Sequence, residues 1–570
     1  GDAFGVFSIL MPNTSFAETH DLVIFNQRGT LYAEPSLRCP EVFEAGLAAL
    51  ADPEDKDISD QLLAYAECYQ RLSIDGVDLS AYNSLENAAD VDAIRAALGY
   101  ETFNFYGVSY GTLLGLHLMQ NHPDNLRTVI LDGVAPPNLN FIPLVPQGTE
   151  RIFSEMFQAC TSNSTCQANY PDLETRFFTL VEQLDNEPVP ITLTDTESGR
   201  TVDTMLTGQV LMDLMFQVFY LPDAYTIFPK IVLNIESGDY DFLESIWPLF
   251  VFEETFSEGM YYSVICAEDA DFTINDVPLE GVRPEIAEGA AEELGAYLDI
   301  CTSWPVEKLP DSVDAPITSD IPTLLLSGQF DPITPPSFAA TAAETLPNSY
   351  NYVYPTGSHG VAFNNPCIDR IIQDFLADPT REPTSTCLNI VNTPNFAPPD
   401  AFSLPLLGQI NQLAQGAFIE MGIAGLFILT VLSAYFLWPL SWFISLFRTQ
   451  ARPTRTTNQR LINWSSRGLI LMFGAVAALF VAGVTSVIIY ILASDTGLAI
   501  LSAVPSWTTP LFLLPCVLGL LLLCIVGVTP LVWRSSGWTL LGKLYYTVLA
   551  LSALGYIIVL GWGGMLTILF

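Results

Sequence analysis

The chain has 570 residues, half of them hydrophobic, yet 62 Asp and Glu stand against 21 Lys and Arg, a formal charge of −41. The apolar content excludes an intrinsically disordered chain, and the acid excess excludes a surface able to hold a phosphate backbone, so no nucleic-acid partner is expected. The two signals lie in different places: residues 401–570 hold seven of the basic residues (Arg448, Arg452, Arg455, Arg460, Arg467, Arg534, Lys543) and two acidic ones (Glu420, Asp495), or +5, which leaves the first 400 residues at −46.

The chain opens on GDAFGVFSIL, which has neither the charged start nor the apolar core of an export leader; the expectation is that it begins downstream of its true start. Residues 21–27 (DLVIFNQ) are β-branched and aromatic and end at Arg28-Gly29, as a buried strand would before a turn. A helix is expected over 86–98, a strand over 101–106, a helix over 111–121 and a strand over 127–132. Strands alternating with helices imply a mostly parallel sheet covered on both faces, an α/β fold.

Between the second strand and its helix stands Gly107-Val108-Ser109-Tyr110-Gly111, a G-x-S-x-G pattern. A serine nucleophile needs a sharp turn that lifts its Oγ above the sheet, and the helix N-terminus behind it favours a developing oxyanion. The pattern alone is common; the strand-turn-helix context makes it informative. Its base must be one of four histidines. His20 precedes a strand, and His117 and His122 lie on or just after the helix behind the serine. His359, in the loop Gly357-Ser358-His359-Gly360 after a strand, can reach Ser109. The orienting carboxylate is assigned to Asp331, 28 residues before the histidine, with Asp132 at another strand end as the alternative. The order Ser, Asp, His at strand C-termini is that of an α/β hydrolase.

The alternation breaks at Pro136-Pro137, and residues 137–315 show helical spacing and aromatics without strand runs, which reads as a helical lid inserted into the fold. Strand character returns at 322–327 and 350–354, with helices at 337–345 and 367–377. The domain reading is therefore a hydrolase core over 1–136 and 316–393, the lid over 137–315, a Pro-rich linker over 394–417 and a membrane region over 418–570. Eight cysteines precede the linker, and an even number outside the cytoplasm fits structural disulfides. The simplest of the possible connectivities joins sequence neighbours, Cys39 to Cys68, Cys160 to Cys166, Cys266 to Cys301 and Cys367 to Cys387, with buried free thiols as the alternative. No metal site and no cofactor are expected.

Four apolar runs, roughly 421–446, 468–493, 510–533 and 544–570, are each long enough to cross a bilayer as a helix. Arg residues crowd the first connection and Arg534 and Lys543 the third, so these are expected on the cytoplasmic side and the acidic body outside it, in a multi-pass cell-membrane protein. Ionisable residues are missing from the middle of these runs, which argues against a transport pathway. Cys516 and Cys524 are expected as small core residues of one span. Four spans exceed what an anchor needs and leave open docking to a membrane complex or to other copies of the chain.

Asn26-Gln27-Arg28-Gly29-Thr30, Tyr106 to Gly111, Leu131-Asp132-Gly133, Ser327 to Pro332, Gly357 to Gly360 and the Cys367–Cys387 segment together resemble the proline iminopeptidase and tripeptidyl aminopeptidase branch of the α/β hydrolases, over about residues 1–390. The family usually has Asp where Asn26 stands, and its upstream HGGPG loop, which supplies half of the oxyanion hole, is matched at most by Gly1-Asp2-Ala3. The resemblance implies a serine aminopeptidase acting on peptides, with the Tyr110 N–H as an oxyanion donor. It also implies acidic lid residues that hold the substrate's free amine, for which Glu268 and Asp269 are the candidates. An esterase of the same fold, or a non-catalytic hydrolase-like subunit of a membrane complex, are the other readings.

Overall fold

The computed structural model describes residues 14–52, 58–195, 198–221, 224–362, 365–390, 393–399, 418–447, 456–493 and 509–562. Gly1-Asp2-Ala3 and most of the expected linker lie outside them. Two compact units divide the chain, residues 1–399 with 495–499, and 400–494 with 500–570.

In the first unit the described strands are β1 (Phe103–Val108), β2 (Leu126–Asp132), β3 (Val189–Thr194), β4 (Thr201–Leu206), β5 (Thr323–Gly328) and β6 (Ser349–Tyr354). Four of them form a parallel sheet in the order β1-β2-β5-β6. Successive side chains of a strand point to opposite faces, and the central strands bury both. Val129 and Leu131 of β2 and Leu325 of β5 meet Leu114, Leu118 and Ala339 on one side. Ile130, Leu324 and Leu326 meet Ile368, Ile371, Ile372 and Phe375 of helix Pro366–Ala377 on the other. Helix Ser84–Leu98 starts where the Asn83 side chain accepts the Glu86 N–H and ends at Gly99, whose φ of 82° suits a residue without Cβ.

Residues 21–27 do not form a strand. Ile24 and Phe25 pack on opposite sheet faces, but Leu22 and Val23 are exposed and the segment joins no ladder. Apolar patterning reports burial, whereas strand pairing requires a partner far away in the chain. The insertion is also not purely helical. Among its helices lies an antiparallel hairpin of β3 and β4, whose β3 alternates buried and exposed residues. Pro190 and the short half-buried alternation disguise that strand in the sequence.

Four disulfides join Cys39 to Cys68, Cys160 to Cys166, Cys266 to Cys301 and Cys367 to Cys387. The third ties helix Glu258–Glu268 to helix Pro284–Ser303.

The second unit has four segments long and apolar enough to cross a membrane: Gly422–Leu446, Thr457–Ser486, Leu514–Arg534 and Leu540–Gly561. The first is broken at Ser433 between helices Phe418–Leu432 and Ala434–Leu446. The second begins at Thr457, about three turns upstream of the hydropathy boundary at 468, because a charge stops an apolar run without stopping a helix. The charge in question, Arg467, lies between the rings of Trp438 and Trp538, 5.3 and 5.2 Å from their centroids. Cys516 and Cys524 are not core residues: both are free and exposed on helix Leu514–Arg534, whose buried stripe is Leu518, Leu522 and Ile525.

Candidate active site

Ser109 follows β1 and precedes helix Tyr110–Asn121. Its backbone sits at φ 55°, ψ −123°, a conformation that costs a non-glycine residue about 1–3 kcal/mol. The surroundings impose it. The Ser109 N–H donates to the Asp132 carbonyl at 3.0 Å, and the Thr112 N–H donates back to the Ser109 carbonyl at 2.8 Å. Gly107 is needed sterically, since a Cβ there would lie 2.3 Å from the Gly111 carbonyl oxygen; a Cβ on Gly111 would meet nothing within 4 Å. Of the two motif glycines, the first makes the turn possible.

His359 and Asp331 come together across the C-terminal ends of β5 and β6. His359 Nδ1 lies 2.9 Å from Asp331 Oδ2. Asp331 is fully buried and accepts the Ile333 and Thr334 N–H groups at 3.0 and 2.8 Å and the Thr334 hydroxyl at 2.8 Å. Burial pushes the Asp331 pKa up, but the His359 charge and these donors outweigh it and hold the carboxyl below its ordinary value. For His359 burial acts downward and the Asp331 carboxylate overcomes it, so the imidazole titrates above its ordinary range. This is the electrostatic signature of a base stabilised in its protonated form.

Asp132, the alternative carboxylate, is also fully buried and is turned elsewhere: it accepts the Val361 and Ala362 N–H groups, both at 2.9 Å, and the Tyr106 hydroxyl at 3.0 Å.

Further residues buttress the pair, most of them without a sequence signal. Gly133 (φ 68°) lies against the pair, and Arg151 donates to the Gln329 carbonyl at 3.1 Å and to the Asp331 carbonyl. The Tyr220 ring meets His359 edge-on at 5.1 Å. The insertion also pins the loops that carry Asp331 and His359, through Tyr225 stacked on Phe330 at 4.3 Å with its hydroxyl on the Thr356 carbonyl, and through the Ser358 hydroxyl on the Phe219 carbonyl.

Glu268 and Asp269 end helix Glu258–Glu268 of the lid. Glu268 is buried and accepts the Ser84 N–H and hydroxyl, both at 2.6 Å; Ser84 Oγ is in turn 3.0 Å from the Tyr110 hydroxyl. Asp269 remains partly exposed. Burial pushes Glu268 up to about 7, and burial together with the Glu268 charge pushes Asp269 up to about 8. Tyr110, next to the nucleophile, thus touches a network that reaches the lid.

Residues 1–168 match the α/β hydrolase fold family, and residues 290–387 match the TAP-like protein family. The chain is an α/β-hydrolase-fold enzyme carrying a TAP-like segment. Among relatives, this hydrolase is 25% identical over 417 residues to serine protease Hip1 of Mycobacterium tuberculosis, covering 67% of this chain and 76% of that one. It is 24% identical over 414 residues to carboxylesterase B of the same species, with the same coverage of both chains. To the tripeptidyl aminopeptidase of Streptomyces lividans it is 36% identical over 129 residues, 21% of this chain and 23% of that one.

Proposed function

We propose that this α/β hydrolase is a membrane-anchored, extracytoplasmic serine aminopeptidase, of the prolyl or tripeptidyl type, that cleaves peptide bonds near free N-termini. Ser109 Oγ attacks the carbonyl carbon while His359 takes its proton, and Asp331 fixes the imidazole. The Tyr110 N–H, in the first turn of its helix, donates to the oxyanion. Collapse of the adduct expels the amine with the proton from His359, and water releases the acyl group by the same route. Asp269, with the Glu268 charge beside it, pairs with the substrate's α-ammonium. Four apolar helices with an Arg-rich first connection anchor the body outside the cytoplasm.

The observation that carries this reading is the conjunction of a strained Ser109, a His359–Asp331 pair with a fully buried carboxylate at the ends of β5 and β6, and a partly accessible acid at the lid. The carboxylesterase relative supports a second reading, an esterase on the same triad. One assay separates them. The full chain in detergent is given a tripeptide p-nitroanilide with a free amine, its N-acetylated form, and a p-nitrophenyl ester. The aminopeptidase reading predicts that acetylation lowers kcat/KM by about a hundredfold or more, because it removes the ammonium charge that Asp269 pairs with. Turnover of the ester with neither anilide cleaved would favour the esterase.

A further inference from the structure

Asp132 and Gly133 lie between the Ser109 turn and the His359–Asp331 pair. The Asp132 carbonyl accepts the Ser109 N–H at 3.0 Å and so holds the nucleophile turn. The Asp132 carboxylate accepts the two consecutive amides, Val361 and Ala362, that begin two residues after His359. Gly133, whose own N–H is bound to the Leu326 carbonyl at 2.9 Å, lies where a Cβ would meet Thr334 Oγ1, His359 Cε1 and Asp331 Oδ2 at 2.9–3.3 Å. The loop that carries His359 leaves β6 through Gly357 and turns at Gly360, whose φ is 77°. A loop with glycines on both sides of its functional residue has little stiffness of its own, so its position must be set by bonds from outside.

The geometry points to Asp132 as a positioning residue that latches the His359 loop to the nucleophile turn, with Tyr106 completing the latch. Three donors converge on its two oxygens: the Val361 amide on Oδ1, and the Ala362 amide and the Tyr106 hydroxyl on Oδ2. A carboxylate satisfies two roughly parallel amides, whereas an amide side chain presents one acceptor and sets its NH2 against the second N–H. This role rests on His359 being the base.

The latch also has an electrostatic consequence. The groups facing Asp132 are the Tyr106 hydroxyl and the His359 imidazole; His359 in turn faces Asp331, Thr334 and the Tyr220 ring. The Asp132 charge adds to that of Asp331 in raising the imidazole pKa. Asp132 itself is pushed up to about 6, chiefly by burial and against the pull of its donors, so its ionised form is held at neutral pH by those bonds.

The test measures kcat and KM against pH for the full chain on an amine-bearing peptide anilide, with Asp132→Asn and Tyr106→Phe beside the wild type. For Asp132→Asn the latch predicts kcat lower by about tenfold to a hundredfold with KM within about twofold. It also predicts an acid limb of kcat/KM moved to lower pH, because a negative charge near the imidazole is gone. For Tyr106→Phe it predicts a smaller loss that deepens as pH falls towards 6, since Asp132 then takes up a proton more readily. A merely structural role would lower the amount of active enzyme without moving the acid limb. If Asp132→Asn does not fold, Tyr106→Phe decides by the pH trend of its loss. Wild-type kcat and an unmoved limb in both variants would overturn the latch while leaving the triad standing. Loss of wild-type turnover and of reaction with a fluorophosphonate would instead overturn the triad reading itself.

Discussion

A methyl group on Gly133 would lie 3.2 Å from His359 Cε1 and 3.3 Å from Asp331 Oδ2, on a backbone whose φ of 68° disfavours any side chain. Gly133→Ala is therefore expected to push the imidazole away from its carboxylate and to lower kcat by about tenfold to a hundredfold with KM little changed, as steady-state kinetics would read. An alanine variant with wild-type kcat would mean that the turn after β2 does not support the site. The contrast with the motif residues is instructive. Ser109, Asp331 and His359 were legible because each stands beside a glycine-rich turn after an apolar run, and only one of four histidines was compatible with the serine. Thr334, Arg151 and Tyr220 are not legible, because their roles come from loops brought together by the sheet, and Gly133 shows only as part of the family-like Leu131-Asp132-Gly133. From the sequence Asp132 stands out only as a rival to Asp331. What the sequence could not show was that its oxygens face Val361 and Ala362.

At the scale of elements, the lid matters through the end of helix Glu258–Glu268. Glu268 is fixed on Ser84 at the start of helix Ser84–Leu98, while Asp269 stays partly exposed. Both acids have raised pKa values, about 7 and about 8. Only the ionised form pairs with an ammonium, so lowering the pH from about 8 to about 6 protonates them and weakens the hold on the substrate. The expected result is a KM for amine-bearing substrates that rises several-fold over that interval, and a smaller rise in Asp269→Asn, where only Glu268 still titrates. A wild-type KM independent of pH would remove Asp269 from the amine site. The elements themselves were legible to different degrees. Residues 86–98, 127–132, 322–327 and 367–377 lie within one or two residues of the observed helices and strands, because periodicity and caps agree there. Residues 21–27 look like a strand because apolar patterning measures burial, while ladder pairing depends on a partner far away in the chain; the β3–β4 hairpin is hidden by Pro190 and a short half-buried alternation.

Across the whole molecule, the charge is divided between a body at −46 and a helical region at +5. An acidic field of that size draws in peptides with cationic N-termini, and the basic connections favour one orientation in a membrane. The four apolar helices of the second unit were legible from hydropathy, but their ends were not, since Arg467 is accommodated between two indole rings. All of this serves the chemistry only if one hydroxyl in the chain is activated. The most direct measurement is reaction of the native full chain with a fluorophosphonate, followed by mass mapping of the adduct, with His359→Ala alongside. A single adduct on Ser109 is expected, strongly reduced in His359→Ala and missing after heat denaturation. An adduct on another residue, or none on the native chain, would contradict the triad.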